Sequence, residues 1–164
     1  MLLHSMWPTQ DVNQEHKVVE LRDGETYLTV VHPDAQKLIE FARDLVGPEN
    51  VYLLTLGMRH YALKLNEVFE WNFDPKNIRA REDWAVPLRV GYGYQDPLHE
   101  RWNKDNVLID NLRYEHNEGK CNYLGIKAEE NYLKVRDFYG ITKPGDTFYK
   151  DVVDFLEERH SMAS

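Results

Sequence analysis

The chain is poor in the features that usually betray a function. Cysteine occurs once, as Cys121, which excludes an intrachain disulfide and a cysteine-based zinc cluster and gives no reason to expect an oxidising compartment. No apolar run approaches the roughly 18–20 residues that cross a bilayer. The opening Met1-Leu2-Leu3-His4-Ser5-Met6 lacks the basic region and apolar stretch of a secretory leader, so a cytoplasmic protein with no membrane partner is expected. Positive charge is also short. Twenty Lys+Arg face 28 Asp+Glu, a net charge of −8, which argues against non-specific binding to a nucleic-acid backbone and leaves only a local basic groove for such a partner. A phosphate-cradling glycine loop, a serine nucleophile elbow and a paired-cysteine motif are all missing, and nothing points to acyl transfer or redox chemistry.

There remains a chain of 164 residues with an ordinary share of apolar side chains, enough for one domain over 1–164. The segment to about Glu15 reads as irregular. Val18-Val19-Glu20-Leu21 and Thr26–Val31 flank the turn pair Asp23-Gly24 and predict a hairpin, which completes an N-terminal part at 1–31. An α/β core over 32–164 comes next. Pro33 suits a helix start, Ala35, Leu38, Ile39, Ala42, Leu45 and Val46 recur at helical spacing, and Gly47-Pro48 ends the run. Val51–Thr55 reads as a strand buried on both faces, and a second helix opens after Gly57 and closes near Asn72. Arg79–Asn103 is rich in Arg, Trp, Tyr, Pro and Gly and reads as a long excursion, a length uncommon in loops without a function. Val107–Asp110 is another buried strand, Asn111–Lys120 a polar loop, Leu133–Arg136 a last strand, and Asp146 caps a terminal helix. Alternating strands and helices imply an α/β fold with a mostly parallel sheet flanked by helices.

Ligands of open α/β sheets bind beyond the carboxyl ends of the strands, which selects Thr55 and the pair Asp110-Asn111. The Thr55 hydroxyl, with the amides of Leu56 and Gly57 at the head of the next helix, could hold a phosphate; equally, Thr55 could serve only as a cap. Asp110 and Asn111 could offer oxygens to Mg²⁺, or could simply close the strand in a turn. Arg79 and Arg81 sit near the same edge and suit a phosphate or carboxylate, or else pair with Glu82 and Asp83. Tyr92 and Tyr94, flanked by Gly91 and Gly93, could stack on a planar ligand or pack inward. His116 and Cys121 share a segment but do not make a zinc site.

Taken in order, these pieces resemble the haloacid dehalogenase superfamily, and within it the small phosphatases that act on the RNA polymerase C-terminal domain. The likeness rests on Val30-Val31-His32-Pro33-Asp34-Ala35, where the family has Arg-Pro-Gly, and on Leu53-Leu54-Thr55-Leu56-Gly57-Met58-Arg59-His60-Tyr61-Ala62, an apolar strand ending in Thr and followed by Tyr-Ala. It rests also on Val107-Leu108-Ile109-Asp110-Asn111 and on the tail, Val135–Gly140 with Asp146-Thr147 and Phe155–Glu158. The resemblance implies a Rossmannoid sheet, a phosphorylated substrate, phosphate binding at Thr55, Leu56 and Gly57, and Mg²⁺ at Asp110 and Asn111. Arg59, Arg79, Arg81, Arg89 and Lys104 become candidate substrate contacts.

The family's first motif, Asp-x-Asp-x-Thr, is absent: Leu2-Leu3-His4 matches the Leu-Leu-His that commonly succeeds the motif, and no Asp-x-Asp occurs anywhere in the chain. Without that aspartate no phospho-aspartate can form, so negligible phosphatase activity is expected. The alternative is a non-catalytic relative that binds a protein or nucleic-acid partner. The lysine expected ahead of the Asp110 strand has no clear counterpart, Lys104 lying too near and Arg89 or Arg101 being only substitutes. The first strand is central in this fold, so its loss predicts one of three remedies: direct pairing of the Thr55 and Asp110 strands, an N-terminal segment in the gap, or a strand from a second copy in a homo-oligomer.

Overall fold

The computed structural model describes residues 3–6, 17–20, 24, 26–84, 106–126, 129–138, 142 and 144–163. Two strands, β2 (Lys17–Glu20) and β3 (Thr26–Val31), pair antiparallel as the hairpin pattern predicts, with Lys17 opposite Thr29 and Glu20 opposite Thr26. The supposedly irregular start contains a further strand, β1 (Leu3–Met6), on the other edge of β3, with Leu3 opposite Val31. Four residues, Leu-His-Ser-Met, are too few to show alternation. It is the open edge of β3 that gives them a partner, and the sheet order is β1-β3-β2.

The chain then leaves Val31 through His32 into helix α1 (Ala35–Val46), whose end is set by Gly47 at φ +86, its N–H donating to the Arg43 carbonyl. Two βαβ units come after it. In the first, β4 (Leu53–Leu54), helix α2 (Arg59–Val68) and β5 (Ile78–Arg79) give a parallel pair with Leu53 opposite Ile78. In the second, β6 (Leu108–Asp110), helix α3 (Glu118–Leu124) and β7 (Tyr132–Lys134) give a parallel pair with Asp110 opposite Lys134. A terminal helix, α4 (Phe148–Ala163), closes the chain. The class is α/β, and among the described residues no helix is long and apolar enough to cross a membrane.

The sheet differs from the expected one. Among the described residues β4 pairs with β5, β6 pairs with β7, and the N-terminal strands form a sheet of their own. Among those same residues, neither direct pairing of the Thr55 and Asp110 strands nor an N-terminal strand between them is found. Trp84 connects the two units instead. Its indole N–H donates to the Thr55 carbonyl at 3.1 Å, and its ring, 5% exposed, packs in one cluster with Leu108, Tyr123 and Tyr132, against which Leu54 also lies. An aromatic donor can cap a strand-end carbonyl that would otherwise need a neighbouring strand.

Among the described residues three buried clusters hold these elements. Ile39, Ala62, Leu65, Trp71, Phe73 and Ile78 join α1 and α2 to β5. The Trp84 cluster lies under α3, and Leu38, Val135, Phe148 and Val152 join α1 to α4. The α1–α4 contact carries a polar clip. His32, 4% exposed, accepts the Asp34 N–H on Nδ1 at 3.1 Å, so Nε2 carries the proton and donates to Asp146 at 2.8 Å. The ring packs against Phe138 and Phe148, with centroids 5.1 and 4.5 Å away. Burial pushes the Asp146 carboxyl up, but the His32 bond and the Phe148 N–H outweigh it and hold it below its ordinary 3.8. The depressed pKa makes Asp146 a source of stability above about pH 4 that fades as pH falls through the folded value. His32→Leu is expected to lose about 2 kcal/mol at pH 7 in urea unfolding. The deficit should narrow below pH 4, and a pH-independent deficit would mean that only packing is lost.

Candidate functional site

The carboxyl ends of β4 and β6 gather most of the residues singled out in the sequence. Thr55 continues the β4 ladder, its N–H donating to the Arg79 carbonyl at 2.9 Å. Its Oγ1 accepts the Gly57 N–H at 2.9 Å, a tight local turn. A side chain at 57 would be crowded, because a Cβ there would stand 3.1 Å from the Tyr61 ring and 3.2 Å from Thr55 Oγ1. The Gly57 carbonyl then accepts the Arg81 N–H at 3.0 Å, which ties this turn to the helical residues 81–84.

The head of α2, an inviting place for an anion, holds an internal one. Both oxygens of Glu82 accept the Arg59 N–H, at 3.1 and 2.9 Å. The Arg59 guanidinium pairs with Asp83, whose Oδ2 also accepts the Ala80 N–H. Arg79 turns to the Lys76 carbonyl and lies 5.5 Å from the Tyr52 ring centroid, whereas Arg81 is exposed. Arg89, Arg101 and Lys104, together with Tyr92 and Tyr94, lie outside the described residues.

Beyond β6 the expected polar loop holds over 111–117, with a 3-10 turn at Tyr114–His116, but its last residues open helix α3, which brings an unforeseen residue to Asp110. Lys120 Nζ forms an ion pair with Asp110 Oδ2, the two side chains being 10% and 11% exposed. Asp110 Oδ1 accepts the Leu112 N–H at 3.1 Å. The Lys120 ammonium also stands 5.7 Å from the Trp84 ring centroid, within cation–π reach. Asn111 does not share in this. Its Nδ2 donates to Asp137 at 2.6 Å. Beneath the pair, Asn117 donates to the Tyr132 hydroxyl at 2.7 Å, which donates to the Leu112 carbonyl at 2.6 Å.

The charges are set by these contacts. Burial alone would raise the Asp110 pKa, but the Lys120 bond and charge, the Leu112 N–H and Asn117 together pull it below the ordinary carboxylate value. Burial, with the Asp110 charge behind it, pushes the Cys121 thiol up and keeps it protonated. Burial likewise pushes the Tyr132 phenol up to about 12. Asn117, Lys120, Cys121 and Leu124 recur at i, i+3, i+4 and i+7 and are all buried, which puts Lys120 on the inward face of α3.

Chemically, the two strand ends present paired groups. The Thr55 hydroxyl serves a turn, the α2 head serves Glu82, and the Asp110 carboxylate serves an ammonium. Among the described residues no three His, Cys, Asp or Glu side chains group as metal ligands. Leu56, Met58 and Leu112, in the two loops beyond these strands, are 54%, 42% and 39% exposed. No protein-family model and no curated protein matches the chain.

Proposed function

We propose that the chain is a domain of the haloacid dehalogenase type that does not hydrolyse phosphomonoesters and acts by binding a protein partner. The order of β4, α2, β6 and their terminal Thr55 and Asp110 supports the kinship, and the internal pairing of the polar groups at those two strand ends carries the functional reading. A phosphoryl-transfer site needs a free nucleophile and unpaired donors aimed at the transferring group. Here the Gly57 and Arg59 N–H groups and the Asp110 carboxylate are already engaged within the chain. The exposed Leu56, Met58 and Leu112 supply apolar contact area at the same end, as partner surfaces do.

The test is an assay of the purified chain with p-nitrophenyl phosphate and Mg²⁺. The release of nitrophenol is expected to equal the buffer rate. Turnover above it that disappears in Asp110→Ala would overturn the proposal and restore the phosphatase reading.

A further inference from the structure

The resemblance implies Mg²⁺ at Asp110 and Asn111, and the residues around β6 do not suit that ion. Mg²⁺ takes oxygen ligands in a strict octahedron at about 2.0–2.1 Å and keeps several waters when few carboxylates hold it. Asp110 has one oxygen on the Lys120 ammonium and the other on the Leu112 N–H. Asn111 is held by Asp137 through its amide nitrogen and leaves only the neutral Oδ1 to offer a cation, so any charge compensation at this end falls to Asp110 alone. Asp110 and Lys120 are only 11% and 10% exposed and the Trp84 ring centroid lies 5.7 Å from the ammonium, so little of the carboxylate faces the solvent from which a hydrated cation would approach. The charge is also balanced, one carboxylate against one ammonium.

We infer that the Lys120 ammonium takes the place of a divalent cation at the end of β6, so that this end of the domain neither binds nor requires Mg²⁺. A lysine suits the part: it is a compact point charge with three donors on a flexible stem. It reaches Asp110 from α3, an element beyond the strand, rather than from the chain ahead of it. The site is therefore a tethered-cation site, fixed by folding and insensitive to chelators.

Mn²⁺ as an electron-spin-resonance probe tests this on the whole chain. Its free signal in millimolar titration should fall no further with the wild-type protein than with Asp110→Asn. The thermal midpoint of the wild type should be the same in EDTA and in millimolar Mg²⁺. Lys120→Ala, which removes the ammonium and opens space for water, should acquire one saturable Mn²⁺ that Lys120→Ala/Asp110→Ala lacks. It should also gain a midpoint rise in Mg²⁺ of about 2–4 °C or more. Saturable Mn²⁺ binding by the wild type that Asp110→Asn abolishes would overturn the inference, as would a folded Lys120→Ala that stays indifferent to both ions. Should Lys120→Ala not fold, the wild-type titration decides alone.

Discussion

Lys120→Met is expected to cost about 3–5 kcal/mol of unfolding free energy at pH 7, because removing one member of a buried ion pair strands the other. Here the stranded group is Asp110, 11% exposed and left with the Leu112 N–H and Asn117. A loss of this size is a large part of the roughly 5–15 kcal/mol that holds an ordinary domain together. The sign of its pH dependence is fixed by the contacts. In the wild type the depressed Asp110 pKa contributes stability that is present above 3.8 and is lost as pH falls through the folded value. Without Lys120, burial dominates and raises that pKa, so the variant is worst where Asp110 must stay charged and improves as it protonates. Urea unfolding should therefore show the deficit shrinking from pH 7 toward pH 4. Asp110→Leu/Lys120→Met should recover most of it, since an apolar pair of similar volume needs no compensation. A single variant as stable as the wild type would show that the pair is hydrated despite its burial.

Trp84→Ala should be comparably severe, at about 3–5 kcal/mol, the usual range for deleting a buried large aromatic. The side chain fills the space between Leu54 and Leu108 and caps the Thr55 carbonyl, so its removal leaves both a cavity and an unmet acceptor. Trp84→Phe separates the two. It keeps most of the ring and loses only the N–H, and a cost of about 1 kcal/mol is expected from the missing bond. If Trp84→Phe were as damaging as Trp84→Ala, the hydrogen bond rather than the packing would be holding the two βαβ units together.

The elements that carry a long periodic signal were legible. α1 shows its apolar spacing over 12 residues and ends at a glycine with positive φ, and the hairpin of β2 and β3 is announced by Asp23-Gly24. The short strands β4, β6 and β7 were marked by their apolar runs, but other short elements were not. β5 has two residues and α3 seven, below the length at which a period can be seen, and each exists because a neighbouring strand or core gives it a partner. The candidate site was half legible for the same reason. Thr55 and Asp110 sit at strand ends, which a run of apolar residues marks. Their partners Trp84 and Lys120 are determined by how the chain folds back, as is Glu82 at the head of α2, and Lys120 in particular looks solvated until α3 turns it inward. An acid ten residues ahead of a lysine says nothing about distance until both elements are placed.

The neighbours Leu38 and Ile39 divide one helix between two cores, Leu38 packing with Val135, Phe148 and Val152 and Ile39 with Ala62, Trp71 and Ile78. Such a helix has no face left to detach alone. An opening that frees α1 exposes both clusters at once, so the two cores share one cooperative unit of exchange, and the local openings of this domain are confined to segments that do not lean on α1.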